Sequence, residues 1–260
     1  MTWANRHRAV YLAGLLLVIA GAVYLTIRPY INVAPTCFDM KQNGDEAGVD
    51  CGGGCDLYCP SQIKNPVVLW SRSYKVTDQI YNAVAYIENQ NPNAVTSRLE
   101  YVFRLYDENN ILIASREGAT TLAPNGRQVI FEGGISVADH TPKRTSFSVT
   151  NSPIWYKNTT SIASLPIRIE DVREPIDLTS PKVTATVKNI GLIKLPPFKV
   201  SIIVTDEENN VEAVSQTLVD EINPDGSFPV VFTWPYAFSS KPLRYIIEPI
   251  VDVLSLPKLN

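Results

Sequence analysis

The sequence predicts a mainly β protein with an N-terminal transmembrane helix, a small Cys-rich segment and two tandem immunoglobulin-like β-sandwiches. Three observations predict it. An uncharged apolar run covers Val10 to Ile27. All four cysteines lie between Cys37 and Cys59. The remainder consists of short alternating apolar runs, and its landmarks recur one hundred residues apart. The predicted organisation is a cytoplasmic tip (1–8), a membrane helix (9–28), a Cys/Gly-rich extracytoplasmic segment (29–64), a first sandwich (65–152), a linker (153–164) and a second sandwich (165–260).

The helix comes first. From Ala9 to Ile27 the chain makes roughly 28 Å of helix, close to the ~30 Å thickness of bilayer hydrocarbon. Leu and Ala dominate the run, and Gly14 and Gly21 are tolerated in membrane helices. Those two glycines stand seven apart, not four, so no helix-dimer motif is present. Arg6, His7 and Arg8 precede the run, and Arg28 with Pro29 follows it. The positive-inside bias then favours a cytoplasmic N-terminus and an exported body. Trp3, Tyr11, Tyr24 and Tyr30 suit interfacial positions. A cleaved signal peptide is the rival reading. The stretch is long for one, and neither a clean A-x-A site nor a lipoprotein context follows it.

The Cys-rich segment reads CFDMKQNGDEAGVDCGGGCDLYC. In an exported chain, Cys37, Cys51, Cys55 and Cys59 read as two disulfides, with three connectivities open. The cross-links replace an apolar core that so short a segment lacks. Zinc is the weaker reading, because the C-x13-C-x3-C-x3-C spacing has no paired C-x2-C knuckles. Asp39, Asn43, Asp45, Glu46 and Asp50 supply hard oxygen ligands along a Gly-containing loop, which makes calcium the one cofactor worth considering. The spacing is not that of an EF-hand, and a solvated acidic turn accounts for the same residues.

In the body, Tyr81–Ile87, Leu99–Leu105, Ile111–Ser115, Gln128–Phe131 and Thr145–Val149 read as strands after an initial Val67–Ser73. The second set is Ile167–Val172, Lys182–Lys188, Lys199–Val204, Val211–Leu218, Pro229–Thr233 and Leu243–Glu248. Glu108-Asn109-Asn110 matches Glu208-Asn209-Asn210, and Pro124-Asn125-Gly126 matches Pro224-Asp225-Gly226. Asn89 aligns with Asn189, Phe103 with Ile203 and Arg144 with Arg244. Several landmarks in one register predict two copies of one domain. Period-2 rows such as Leu99-Tyr101-Phe103-Leu105, Val183-Ala185-Val187 and Val200-Ile202-Val204 predict sandwich cores. Ile203 is an apolar exception on the outer face. Neither copy holds a cysteine, so no immunoglobulin core disulfide is expected. Trp70 suits either a core or an interface, Trp155 and Tyr156 suit packing at the joint, and Pro196-Pro197 suits an edge-strand guard.

Two resemblances attach to these residues. Asn43 to Cys55 resembles a short Cys/Gly module of bacterial and archaeal extracellular proteins, with Ala47 where the module has Thr and a longer last spacing. Tyr81–Asn91 followed by Phe103-Arg104-Leu105-Tyr106-Asp107 resembles the small sandwich domains known by an F-x-L-Y-D signature. Val183–Gly191 is similar to adhesion-type (CARDB-like) sandwich domains. The resemblances imply extracytoplasmic, noncatalytic modules and carry over no functional residues.

Catalytic motifs are absent from the sequence: no P-loop, zinc-protease helix or dinucleotide fingerprint occurs. His140 sits in a loop with no motif placing a partner serine or carboxylate. The net charge of -3 and the lack of a basic run in the body exclude a nucleic-acid binder. The expected function is a noncatalytic, membrane-anchored extracytoplasmic structural or binding protein. It would contact lipid through residues 9–28 and a protein or cell-envelope polymer through the sandwiches. The alternative is an accessory subunit of a membrane or secretion complex. An enzyme would require a deep polar pocket with clustered carboxylates.

Overall fold

The computed structural model describes residues 3–31, 36–160, 164–174, 179–239, 242 and 244–256. Part of the predicted linker (161–163) and the predicted strand start at Leu243 lie outside them. The chain divides into two compact units, Met1–Cys55 and Asp56–Asn260.

In the first unit, α1 (Trp3–Ile31) is a single helix of 29 residues. Its apolar window, Val10–Ile27, is bare of protein along its whole length. Nothing lies within 4 Å of where a side chain would start at Gly14 or Gly21. An all-round apolar helix in a globular protein is normally buried; this one has no cover from its own chain.

The second unit is all-β. Its first copy comprises β1 (Val67–Lys75), β2 (Ile80–Glu88), β3 (Ala94–Tyr106), β4 (Leu112–Leu122), β5 (Arg127–Ser136) and β6 (Arg144–Val149). The two-residue β7 (Tyr156–Lys157) follows. The second copy comprises β8 (Ile167–Arg173), β9 (Lys182–Asn189), β10 (Phe198–Thr205), β11 (Val211–Val219), β12 (Ser227–Thr233) and β13 (Arg244–Ile250). Sheet orders β1-β2-β5 and β4-β3-β6 recur as β8-β9-β12 and β11-β10-β13, and every pairing is antiparallel. The same topology in the same order bears out the repeat.

Each copy has a core of its own, and Val95 and Ala123 of the first copy join that of the second. Leu99, Tyr101, Phe103 and Leu105 of β3 meet Ala83, Ala85 and Ile87 of β2, with Phe147 across the sheet. Val183, Ala185 and Val187 of β9 meet Val200, Ile202 and Val204 of β10, with Phe232 and Val230. Period-2 alternation therefore sends the predicted rows inward.

Side-chain amides fix the ends of equivalent strands. Asn89 Nδ2 donates to the carbonyls of Ala94 and Ala123, and its Oδ1 accepts from the Asn91 amide. Asn189 repeats the pattern on Ile193, Ile222 and Gly191. Both asparagine amides donate to the glycine one hundred residues apart, Gly126 and Gly226.

The register is not uniform, however. In the first hairpin the Asp107 amide donates to Ile111 and Asn110 adopts φ 59°; in the second, Asp206 donates to Asn210 and Asn209 adopts φ 63°. The hairpins therefore correspond at an offset of 99, one less than the sequence match Glu108–Asn110 with Glu208–Asn210 implies. Phe103 is equivalent to Ile202, both fully buried, and Ile203 is equivalent to Arg104. Asn189 reaches its Ile193 acceptor in one residue fewer than Asn89 reaches Ala94, and the offset returns to 100 at β5 and β12, where Arg127 and Ser227 face Glu88 and Lys188.

Other expectations change in detail. Pro196-Pro197 precedes β10, a central strand; prolines on edge strands are Pro229 of β12 and Pro249 of β13. Within the predicted linker, β7 pairs with Ala94 and Val95 of β3, and Trp155 is buried in the first core. Tyr156 packs against the second core. From the predicted Cys-rich segment, Tyr58 and Ile63 pack on the first core, and Asn91 clasps Lys64 through both its amide nitrogen and oxygen.

A third cluster lies between the sandwiches. The outer face of β1-β2-β5 gives Trp70, Tyr74, Val84, Tyr86, Val129 and Phe131; the outer face of β11-β10-β13 gives Ile203, Val211, Val214 and Ile246. Ile203, the apolar exception, is 3 % exposed here. The repeat positions of Val84, Tyr86 and Phe131 are Thr184, Thr186 and Val231, and those of Ile203, Val214 and Ile246 are Arg104, Ser115 and Ser146. Five of these six repeat positions are polar, and Val231 is the apolar one.

Candidate functional site

Two places bear on function: the disulfide loop and the seam between the sandwiches.

In the loop all four cysteines are oxidised. Cys37 is bonded to Cys55 with Cα atoms 5.6 Å apart, and Cys51 and Cys59 are disulfide-bonded as well. No thiolate is left for zinc. The cluster Cys37, Glu46 and Cys55 has metal-like proximity, but two of its three members are the two ends of that disulfide.

The predicted oxygen ligands turn largely inward. Asp50 accepts from the amides of Asp39 (3.0 Å) and Met40 (3.0 Å). Asp39 accepts from the Lys41 amide (3.0 Å) and from Asn43 Nδ2 (2.7 Å). Glu46 Oε2 accepts from the Asn43 amide (3.2 Å), and its Oε1 lies 3.3 Å from the Cys55 sulfur, which has no proton to give. Asp45 lies over the glycines: a Cβ at Gly53, where φ is 49°, would overlap the Asp45 carbonyl. Gly53 must therefore be glycine on both counts. The five residues share one loop, and the carboxylates of three of them, Asp39, Glu46 and Asp50, accept from its backbone amides.

The seam is a hydrophobic contact with a polar rim. Trp70 and Tyr86 stack at 5.6 Å. Tyr86 donates to Glu248 Oε1 at 3.3 Å, while Glu248 Oε2 is buried without a partner. Burial raises the Glu248 carboxyl above its ordinary range, opposed by the Tyr86 hydrogen bond and the Arg127 charge. Burial likewise pushes the Tyr86 hydroxyl up to about 12, helped by the Glu248 charge. Arg127 Nε is held by Glu88 at 3.0 Å. Burial also takes Tyr74 up to about 12, against the nearby Arg72 guanidinium. Arg72 reaches across the seam to the Val211 carbonyl at 3.4 Å.

Beside this rim an open polar groove of about 590 Å³ is lined by Tyr86, Glu88, Asn89, Asn125, Arg127 and Glu248. Arg127 engages the Glu88 carboxylate and Tyr86 engages one oxygen of Glu248. A second polar cluster lies on the first sandwich. Tyr101 donates to Glu132 at 2.8 Å beneath Gly118, and Arg116 lies 3.5 Å from Glu132. A Cβ at Gly118 would fall 2.5 Å from both the Tyr101 hydroxyl and the Glu132 carboxylate.

No family model and no curated protein matches this chain. Among solved structures it is similar to red sea bream transglutaminase, with 8 % identity over 73 % of this chain and 31 % of that one, at a TM-score of 0.24. It is also similar to a Bacteroides fragilis protein described as a beta-galactosidase, with 13 % identity over 68 % and 33 %, at a TM-score of 0.20. The chain spans about a third of the length of each. At these scores the likenesses bear on neither fold nor catalysis.

His140 is exposed in a turn, its amide donating to the Val137 carbonyl. The sequence contained no signal for Tyr86 and Glu248 as partners, because they lie 162 residues apart in different copies.

Proposed function

We propose that this chain is a noncatalytic, single-pass membrane protein with residues 29–260 outside the cytoplasm. The double sandwich presents a surface to a protein or cell-envelope polymer. The carrying observation is the uncovered apolar helix. Eighteen uncharged residues exposed on every side need lipid or an apolar partner. Full oxidation of the cysteines supports an oxidising compartment and hence an exported body. The noncatalytic part is supported by the seam and Gly118 clusters, where Glu88, Glu132 and one oxygen of Glu248 are held in ion pairs or hydrogen bonds.

The test combines two measurements on native membranes. Carbonate-washed membranes are expected to retain the chain with its N-terminal peptide intact by mass spectrometry. Protease added from outside is expected to degrade the sandwiches. A mature chain beginning beyond Ile27, or sandwiches cut only after the membrane is opened, would refute the anchor or its orientation.

A further inference from the structure

We propose that the tip of the disulfide loop, residues 37–41, rests in the interfacial layer of the membrane with Phe38 and Met40 inserted among the lipids. The proposal rests on the membrane-anchor reading above. Phe38 and Met40 are 87 % and 86 % exposed, and Val49 of the same loop is exposed too. Single exposed apolar side chains are ordinary on protein surfaces. The construction of this tip sets it apart.

Met40 holds φ at 59°, an uncommon conformation for a residue other than glycine, asparagine or aspartate. Three consecutive backbone amides, those of Asp39, Met40 and Lys41, are each accepted by a carboxylate of the loop, Asp50 for the first two and Asp39 for the third. The Cys37–Cys55 disulfide closes the base. The tip thus presents two large apolar side chains beside three consecutive backbone donors that are satisfied within the loop. That is the condition for a non-helical segment to enter the edge of a bilayer without stranded polar groups.

The tether selects lipid as the occupant. Six residues separate Ile31, the end of α1, from Phe38. Extended chain covers at most about 3.6 Å per residue, so the tip stays within about 25 Å of the helix end. A helix lodged in the bilayer holds the tip at high effective concentration beside the same bilayer, so a contact too weak to recruit a free protein suffices. Exposed Lys41 follows Met40 directly and supplies an ammonium for lipid phosphate. The carboxylates of Asp39 and Asp50 point at the tip's own amides and are drawn away from the lipid headgroups.

The experiment uses the full, oxidised chain in phosphatidylcholine vesicles with a photoreactive residue at one position: Phe38→p-benzoylphenylalanine, Leu17→p-benzoylphenylalanine or Leu192→p-benzoylphenylalanine. Leu17 lies within the apolar window, and Leu192 is a 92 % exposed loop residue of the second sandwich. Irradiation is expected to give phospholipid adducts at positions 17 and 38 and none at 192. Adducts at 17 without adducts at 38 would overturn this inference and leave the anchor reading standing. No adduct at 17 would overturn the anchor reading and this inference with it. In native membranes, a position-38 adduct to a protein in place of phospholipid would also overturn it. If thiol titration shows that the Phe38 substitution blocks disulfide formation, Met40→p-benzoylphenylalanine gives the same reading.

Discussion

Replacing Ile203 with alanine tests whether the two sandwiches act as one body. Ile203 is 3 % exposed and packs with Val84, Val129 and Val214, residues drawn from both copies. The substitution removes three carbon atoms. At about 0.8 kcal/mol per methylene the transfer loss is roughly 2.5 kcal/mol, and incomplete collapse of the cavity raises it toward 4 kcal/mol. The folded-to-unfolded ratio should therefore fall by about two to three orders of magnitude. Urea unfolding of the full chain in mild detergent, followed by tryptophan fluorescence, measures this. Trp70 and Trp155 report on the first copy, and Trp234 on the second. Wild type is expected to unfold in one transition, because each copy stabilises the other through the seam. The I203A protein is expected to unfold earlier, with the two regions beginning to separate. The control is Leu192→Ser, at a fully exposed position, which should leave the midpoint alone. An I203A midpoint indistinguishable from wild type would refute the seam as a formed contact.

Three more outcomes follow from the same geometry. Asn89→Ala and Asn189→Ala should each destabilise by about 2–4 kcal/mol in urea, since each removes two buried donations to carbonyls, and similar losses are expected because the motifs are equivalent. Glu248 is raised in the folded state, so the folded chain binds its proton more readily than the unfolded chain. The seam should therefore gain stability as pH falls from neutral through the raised Glu248 value, with the gain complete below the ordinary carboxylate value. Glu248→Gln should flatten this dependence in thermal melts, and an unchanged pH profile would count against it. Gly118→Ala forces a methyl group against Tyr101 and Glu132 and should cost about 1–3 kcal/mol by thermal unfolding, with Gly126→Ala, where the nearest atom is 3.5 Å away, much milder.

Much of the architecture could be read from alternation and repetition. Rows such as Val183-Ala185-Val187 declare which face is inside, because one face of each strand must be dry. The matched landmarks at Asn89 and Asn189 declared the duplication, and those side chains prove to perform the same hydrogen bonding. The one-residue offset in the hairpins was hidden, because a tripeptide match and a structural match differ by one step when a neighbouring connection shortens. Ile203 stood out as an anomaly, but its partners Val84 and Val129 could not be found by eye. They occupy the outward positions of strands whose inward positions are also apolar, so no alternation marks them. In the disulfide loop the residue types were legible and their direction was not. Which backbone amides Asp39, Glu46 and Asp50 accept from depends on the folded turn, and residue type alone does not specify it.

The seam joins unlike surfaces: one sheet of the first copy meets the opposite sheet of the second. A contact of that kind has a front and a back, and identical units joined so could go on adding indefinitely. The two faces left over differ from the two that meet. The outward position matching Tyr86 is Thr186, and that matching Ile203 is Arg104, so at these positions the leftover faces lack the apolar side chains that form the seam. A handful of outward positions thus separates a sheet face that joins its neighbour from the same face of the other copy, which does not.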